Sequence, residues 1–76
     1  LPVQDALYQA LRGLRERLAR ELHVPAYIVF SNATLADMAA KKPRTMAEFR
    51  EVSGVGEAKA ARYGEAFLSE IRKNEA

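Results

Sequence analysis

Residues 7–22 read LYQALRGLRERLAREL, and this segment decides the fold because its leucines recur at spacings of four and three. That spacing places them on one face of a helix with 3.6 residues per turn. The leucine face consists of Leu7, Leu11, Leu14, Leu18 and Leu22. Pro25 ends the helix, because the residue before a proline avoids helical geometry. The sequence therefore predicts a long first helix that packs through its leucines.

The next segment, residues 24–30, reads VPAYIVF and is ambiguous by composition. Its β-branched and aromatic residues favour a strand. No other segment of the chain offers a partner strand, however, and a lone strand cannot satisfy its backbone hydrogen bonds. We therefore predict an extended or single-turn connector whose apolar side chains reach into the core.

A short helix is expected after the connector. Asn32 is a suitable N-cap, and Pro43 closes the segment. Three apolar residues of this helix are predicted to face inward: Leu35, Met38 and Ala39. The following T-x-x-E sequence at residues 45–48 is a capping box, which indicates the start of a third helix. Its inward residues are predicted to be Phe49 and Val52.

The last part of the chain contains three glycines that suggest breaks between helices. Gly54 and Gly56 permit backbone angles that other residues avoid, so a tight turn is expected there. A fourth helix is predicted over residues 57–63, Gly64 is predicted to break it, and a fifth helix follows. The apolar side of the fifth helix is Phe67, Leu68 and Ile71. The expected fold is thus a single all-α domain of five helices.

Composition excludes several classes of function. The chain has 76 residues, 49% of them hydrophobic, so it can bury one core. It has no cysteine and one histidine, His23, so neither a disulfide framework nor a thiolate metal site is available. It contains no P-loop motif, no side chain that would activate a serine, and no apolar run of about 20 residues. We expect no catalytic residue, no metal, no cofactor and no membrane contact.

The basic residues lie mainly in the first half of the chain. Residues 1–44 carry seven Lys or Arg against four Asp or Glu, whereas residues 45–76 carry five against six. Arginine suits phosphate oxygens, and an accessible aromatic ring can stack on an unpaired base. The predicted nucleic-acid site therefore comprises Arg12, Arg15, Tyr27, Lys41, Lys42 and Arg44. The alternative is a solvated helix face with local pairs such as Glu16–Arg20.

A second candidate site lies at the glycine turn. Backbone N–H groups near Gly54 and Gly56 could approach a phosphate, with Lys59 adding charge, as in a helix-hairpin-helix arrangement. The alternative is a turn that only joins two packed helices. Acidic residues around the turn favour that alternative: Glu48, Glu51 and Glu57.

The order of these motifs resembles the HRDC domain, the module shared by RecQ-family DNA helicases and RNase D. The resemblance rests on VPAYIVF at 24–30, NATL at 32–35, PRT at 43–45, GVG at 54–56 and RYG at 62–64. It covers nearly the whole chain and is most similar to the bacterial RecQ branch. It implies a compact five-helix bundle of the HRDC or SAM-like type, in which residues 1–76 form one domain cut from a longer protein.

The resemblance also implies a function. It suggests an accessory, non-catalytic domain of an ATP-dependent DNA helicase that helps engage single-stranded or branched DNA in repair and recombination. Such a protein would work in the bacterial cytoplasm at the nucleoid. Because the net charge is only +2, we expect weak binding to DNA. The alternative is a protein-interaction module that docks on the helicase core or on another copy.

Overall fold

A computed structural model describes residues 6–75 of the chain, and this part is helical without strands. The five helices are α1 (Ala6–Leu22), α2 (Ala26–Val29), α3 (Asn32–Lys41), α4 (Met46–Phe49) and α5 (Glu57–Lys73). The long helix α1 packs against α2, α3 and α5, and α4 packs against α5. The all-α fold with five helices is confirmed, although the helices are divided differently from the prediction.

Helix α1 has the predicted register. Leu7, Leu11 and Leu14 are buried, while Leu18 and Leu22 are partly buried at the edge of the core. The helix ends when His23 adopts the left-handed conformation, with φ 58°. The N–H of Val24 then donates to the carbonyl of Ala19 at 3.0 Å, a bond that commonly closes a helix C-terminus. The chain thus leaves α1 just before Pro25, as predicted.

The connector contains one helical turn, α2, so the expectation of a single-turn segment is confirmed. Val29 and Phe30 are buried, as predicted for its apolar side chains. Ile28 is instead 44% exposed, which corrects the prediction for this residue, whereas Tyr27 is 67% exposed, as the predicted stacking site requires. A single helical turn that packs against α1 on one side leaves the side chains on its other side exposed to solvent.

The predicted cap of α3 is wrong by one residue. The N-cap is Ser31, whose Oγ accepts a hydrogen bond from the N–H of Thr34 at 3.1 Å. Asn32 is the first residue of the helix, and its side chain accepts from Arg15 instead. Both residues are good caps, and the long-range contact of Asn32 decides between them.

The capping box at α4 is confirmed in its first half. Thr45 Oγ1 accepts a hydrogen bond from the N–H of Glu48 at 3.1 Å. The carboxylate of Glu48 reaches one residue further back than expected and accepts from the N–H of Arg44 at 2.7 Å. Helix α4 has only four residues and ends with the buried Phe49, and Val52 is buried in the turns that follow it.

Gly64 does not break the last helix, which is a correction to the sequence prediction. α5 runs without interruption from Glu57 to Lys73, and Gly64 lies buried in its middle. A Cβ atom at this position would come within 2.6 Å of Cε of Met46. The glycine therefore makes room for α4 to pack against α5. It weakens the helix locally, and the burial of the apolar face holds the helix together.

The core centres on Phe30, at the end of the connector. Its ring meets the rings of Phe49, Tyr63 and Phe67 edge-on, with centroid distances of 6.2, 5.8 and 5.1 Å. Edge-to-face pairs at these distances are favourable because the positive edge of one ring meets the negative face of another. The connector is thus anchored to both α4 and α5 by one side chain.

Candidate nucleic-acid interface

The connector surface, defined here as Tyr27 and Ile28, is the exposed apolar feature of this domain. These two are the large hydrophobic residues that are exposed within residues 6–75. Their position is set locally by Pro25, whose extended backbone (φ −62°, ψ 149°) precedes the turn and whose carbonyl accepts from the N–H of Ile28. A tyrosine ring held in this way by a short rigid element is available for stacking.

Arg15 was predicted to contact nucleic acid, but the structure buries it. Its side chain is only 5% exposed, and NH1 donates to the carbonyl of Phe30 at 3.1 Å and to Oδ1 of Asn32 at 2.7 Å. NH2 donates to the carboxylate of Glu16 at 3.2 Å, and Nε is buried without a partner among the described residues. The guanidinium therefore joins α1 to the end of α2 and the start of α3. It holds the connector in place from its buried side, toward α1.

The burial of Arg15 changes the charge on the outer face of α1. The alternative to a nucleic-acid site included a local pair of Glu16 with Arg20, but the carboxylate of Glu16 is engaged by Arg15. As a result, Arg12 and Arg20 are exposed and have no ion-pair partner within residues 6–75. Arg12, a predicted site residue, remains an available cation.

The loop cations, defined as Lys41, Lys42 and Arg44, are mostly engaged. Nζ of Lys41 donates to Oδ2 of Asp37 at 2.8 Å and to the carbonyl of Glu51 at 3.2 Å. Arg44 forms an ion pair with Glu75 at 3.0 Å. Lys42 ends α3 in the left-handed conformation (φ 49°) and has no ion pair within the described part of the chain.

The loop cations also lie away from the connector surface. Lys42 and Arg44 line a surface cavity beside Ala6 and Leu7, at the start of α1. The connector is tied to α1 at Arg15, eight residues later, or about 12 Å further along the helix axis. Lys42 and Arg44 therefore lie near the start of α1, whereas the connector is attached further along the helix.

The hairpin turn, defined as residues 53–56, packs against α3. Gly54 adopts φ 87°, and a Cβ atom there would collide with Oγ1 of Thr34. Gly56 is exposed and forms the N-cap of α5. Two of the carboxylates expected to repel a phosphate here are occupied, because Glu48 caps α4 and Glu57 pairs with Arg50 at 3.2 Å.

Lys59 links the hairpin region to the connector. Its Nζ lies 5.7 Å from the centroid of the Phe30 ring, and Phe30 is three residues after Tyr27. The sequence presented the connector and the glycine turn as two alternative faces of the domain. In the folded chain the helix that follows the turn lies directly beside the connector.

Asp37 makes polar contacts that the sequence analysis did not predict. Its Oδ2 accepts from Lys41 and, at 2.8 Å, from the backbone N–H of Ser53, which ties α3 to the hairpin turn. The hydrogen bond from Lys41 and then the one from Ser53 hold the pKa of the Asp37 carboxyl below its ordinary value. Only the i,i+4 spacing of Asp37 and Lys41 was visible in the sequence.

The lowered pKa of Asp37 predicts a specific pH dependence of stability. The folded state favours the carboxylate, so its contribution is present above the ordinary aspartate pKa of 3.8 and is lost as the pH falls through the lower folded-state pKa. We expect Asp37→Asn to lower the free energy of unfolding at pH 7 and to differ little from wild type near pH 2. Urea titrations of both proteins from pH 2 to pH 7 measure the difference between their free energies of unfolding. The other carboxyl groups are the same in both proteins, so their effect on stability cancels in this difference. A difference that stays constant with pH would contradict the assignment.

The helix order, the hairpin turn and the connector together define a small helical-bundle domain with a helix-hairpin-helix-like turn. The family model of the HRDC domain matches residues 4–71, and the chain therefore belongs to the HRDC family. This confirms the resemblance inferred from the motifs. None of the helices within residues 6–75 is long and apolar enough to cross a membrane.

The chain is similar to the ATP-dependent DNA helicase RecQ of Bacillus subtilis (strain 168), with 44% identity over 68 residues. It is also similar to the ATP-dependent DNA helicase RecQ of Pasteurella multocida (strain Pm70), with 41% identity over 68 residues. Each match covers 90% of this chain but only 12% and 11% of the two helicases. The HRDC domain is thus a small accessory part of these proteins.

The fold also matches a solved structure, the D. radiodurans RecQ HRDC domain 3, with a TM-score of 0.87. The two chains are 47% identical, and the match covers 90% of each. Because this identity is high and the coverage is mutual, the similarity concerns the whole domain, and it supports the RecQ branch of the family.

Proposed function

We propose that this HRDC domain is a non-catalytic accessory domain of a RecQ-like ATP-dependent DNA helicase and that it binds single-stranded or branched DNA through the connector surface. The observation that carries the proposal is the 67% exposure of Tyr27 on a turn that Arg15 and Phe30 hold firmly from beneath. An aromatic ring on a rigid support can stack on an unpaired base without first being ordered. The proposal implies a protein acting on bacterial DNA at the nucleoid, in repair and recombination.

The distribution of charge supports weak binding. Two of the three loop cations are ion-paired, and Arg12 on α1 has no ion-pair partner within residues 6–75. If about four phosphates are neutralised, the slope of log affinity against log salt should be roughly −3 for a single strand. Affinity of this kind helps a helicase that already holds DNA elsewhere, because a tethered second contact acts at high effective concentration.

Substitution of Tyr27 tests the proposal. We expect Tyr27→Ala to weaken binding to a single strand roughly 5- to 150-fold, because stacking contributes about 1–3 kcal/mol per base. Tyr27→Phe keeps the ring and is the matched control, with near wild-type affinity expected. Lys59→Ala removes a single charge and should weaken binding less than Tyr27→Ala. Fluorescence anisotropy measures the affinities, and circular dichroism confirms that each variant is folded.

The outcomes separate the proposal from its alternatives. If Lys59→Ala abolishes binding and Tyr27→Ala leaves it intact, the hairpin turn is the DNA-binding face. If the wild-type chain binds no DNA at low salt, a protein-interaction function is favoured instead. The exposed, apolar Ile28 beside Tyr27 is the observation that favours this second candidate, with the helicase core or another copy of the domain as the partner.

A further inference from the structure

Two cations of α5, Lys59 and Arg62, lie on one patch of the surface beside the connector. Nζ of Lys59 is 5.7 Å from the centroid of the Phe30 ring, and Cζ of Arg62 is 5.6 Å from the centroid of the Tyr63 ring. The two rings are themselves in edge contact, with their centroids 5.8 Å apart. The buried aromatic pair therefore fixes where both cations emerge.

Neither cation of this patch is used in an ion pair: Lys59 and Arg62 form none within residues 6–75. Two acidic residues of the same helix have other partners, because Glu57 pairs with Arg50 at 3.2 Å and Glu70 pairs with Lys73 at 3.7 Å. The third, Glu65, is exposed three residues after Arg62 and is not ion-paired with it. Both cations also lie in the first two turns of α5, near the positive end of its helix dipole.

The patch lies beside the connector that carries Tyr27. Phe30, the ring under Lys59, follows Tyr27 by three residues and has an extended backbone, so the Cα atoms of Tyr27 and Phe30 are at most about 11 Å apart. Lys59 lies over Phe30, so a strand whose base stacks on Tyr27 has its neighbouring phosphates close to α5. Lys42 and Arg44, by contrast, line a cavity at the start of α1.

We infer that Lys59 and Arg62 bind the phosphates of the strand whose base stacks on Tyr27, an inference that rests on the proposed function. The surface is then composite: α2 supplies the stacking ring and α5 supplies the charge. The ligand it fits is single-stranded nucleic acid, because the base must be unpaired to reach the ring while its backbone follows α5. Arg62, which belongs to the RYG motif but was not among the predicted site residues, is then a phosphate-binding residue.

The test uses the 76-residue chain with both cations replaced, as Lys59→Gln and Arg62→Gln together. Glutamine keeps most of the side-chain length over the rings and removes the charge. The matched control is Arg17→Gln with Lys73→Gln, which removes one arginine and one lysine from exposed positions elsewhere. Fluorescence anisotropy is measured with a thymidine oligonucleotide and with an abasic strand of the same length, at several salt concentrations.

We expect the Lys59/Arg62 variant to weaken binding about tenfold or more at low salt and the control to weaken it about twofold. The salt slope should fall by about 1.4, since each phosphate contact with a single strand contributes about 0.7. On the abasic strand the effect of Lys59 and Arg62 should persist, whereas Tyr27→Ala should have no effect because there is no base to stack.

Two results would overturn the inference, and they are distinguishable. If the Lys59/Arg62 variant binds like its control while Tyr27→Ala weakens binding, the cations are not at the site and the proposed function stands. If the wild-type chain binds neither strand, the proposed function and the inference fail together. Circular dichroism melting curves confirm that each variant is folded, so loss of binding is not read from an unfolded chain.

Discussion

Phe30→Ala is expected to lower the free energy of unfolding by about 3–5 kcal/mol, the usual range for removing a buried phenylalanine ring. Phe30 is 1% exposed, and its ring meets those of Phe49, Tyr63 and Phe67. Truncation leaves a cavity where α2, α4 and α5 meet. The total stability of a domain of this size is about 4–11 kcal/mol, so the substitution removes a large fraction of it.

Urea denaturation followed by circular dichroism measures this effect. Tyr27→Ala, three residues earlier on the same connector, is the control, and its midpoint should change little because the side chain is 67% exposed. Phe30→Leu should fall between the two, since it retains part of the buried volume. A Phe30→Ala midpoint equal to that of wild type would mean that the connector is not anchored in the core.

Gly54→Ala is expected to lower the free energy of unfolding by about 2–6 kcal/mol, through two effects that add. A φ of 87° is unfavourable for any residue with a Cβ atom, at about 1–3 kcal/mol. The new methyl group would also collide with Oγ1 of Thr34, and such overpacking typically contributes another 1–3 kcal/mol.

Two further variants separate these effects. Thr34→Ala in the Gly54→Ala background removes the colliding oxygen, so it should recover the steric part of the loss and leave the backbone strain. Gly13→Ala is the control, because nothing lies within 4 Å of its added Cβ and its helical position favours alanine by about 0.5–1 kcal/mol. If Gly54→Ala were as stable as wild type, the turn could not have the positive φ seen here.

Arg15 shows how a residue in a correctly predicted helix can be assigned the wrong role. Arg15 was included in the predicted site because it is one of the arginines of the basic first half, although it lies at the margin of the leucine face of α1. In the structure this margin is covered by the end of α2, and the guanidinium is used on the carbonyl of Phe30 and the amide of Asn32. Whether a residue at the margin of a face is buried depends on what packs there, which helical periodicity does not contain.

The charges around the site show the same dependence. The acidic residues of the second half argued against the hairpin turn as long as only their sequence positions were known. The carboxylate of Glu48 accepts a hydrogen bond from the N–H of Arg44 and Glu57 pairs with Arg50, whereas Lys59 and Arg62 form no ion pair within residues 6–75. Net charge over a segment is additive along the chain, but the field at a surface depends on which charges are paired in space.

The sequence alone was sufficient for the features that arise from local interactions. The leucine periodicity predicted α1, the prolines and caps predicted most helix boundaries, and the ordered motifs identified the HRDC family. Periodicity, capping and proline geometry act over a few residues, so they can be read from neighbours along the chain.

The tertiary structure decided that Gly64 lies inside a continuous helix, that Arg15 is buried, and that the connector lies beside α5. Each of these depends on a contact between residues distant in sequence: Gly64 with Met46, Arg15 with Phe30, and Phe30 with Lys59. Such contacts form only when the helices pack, so local sequence patterns do not predict them.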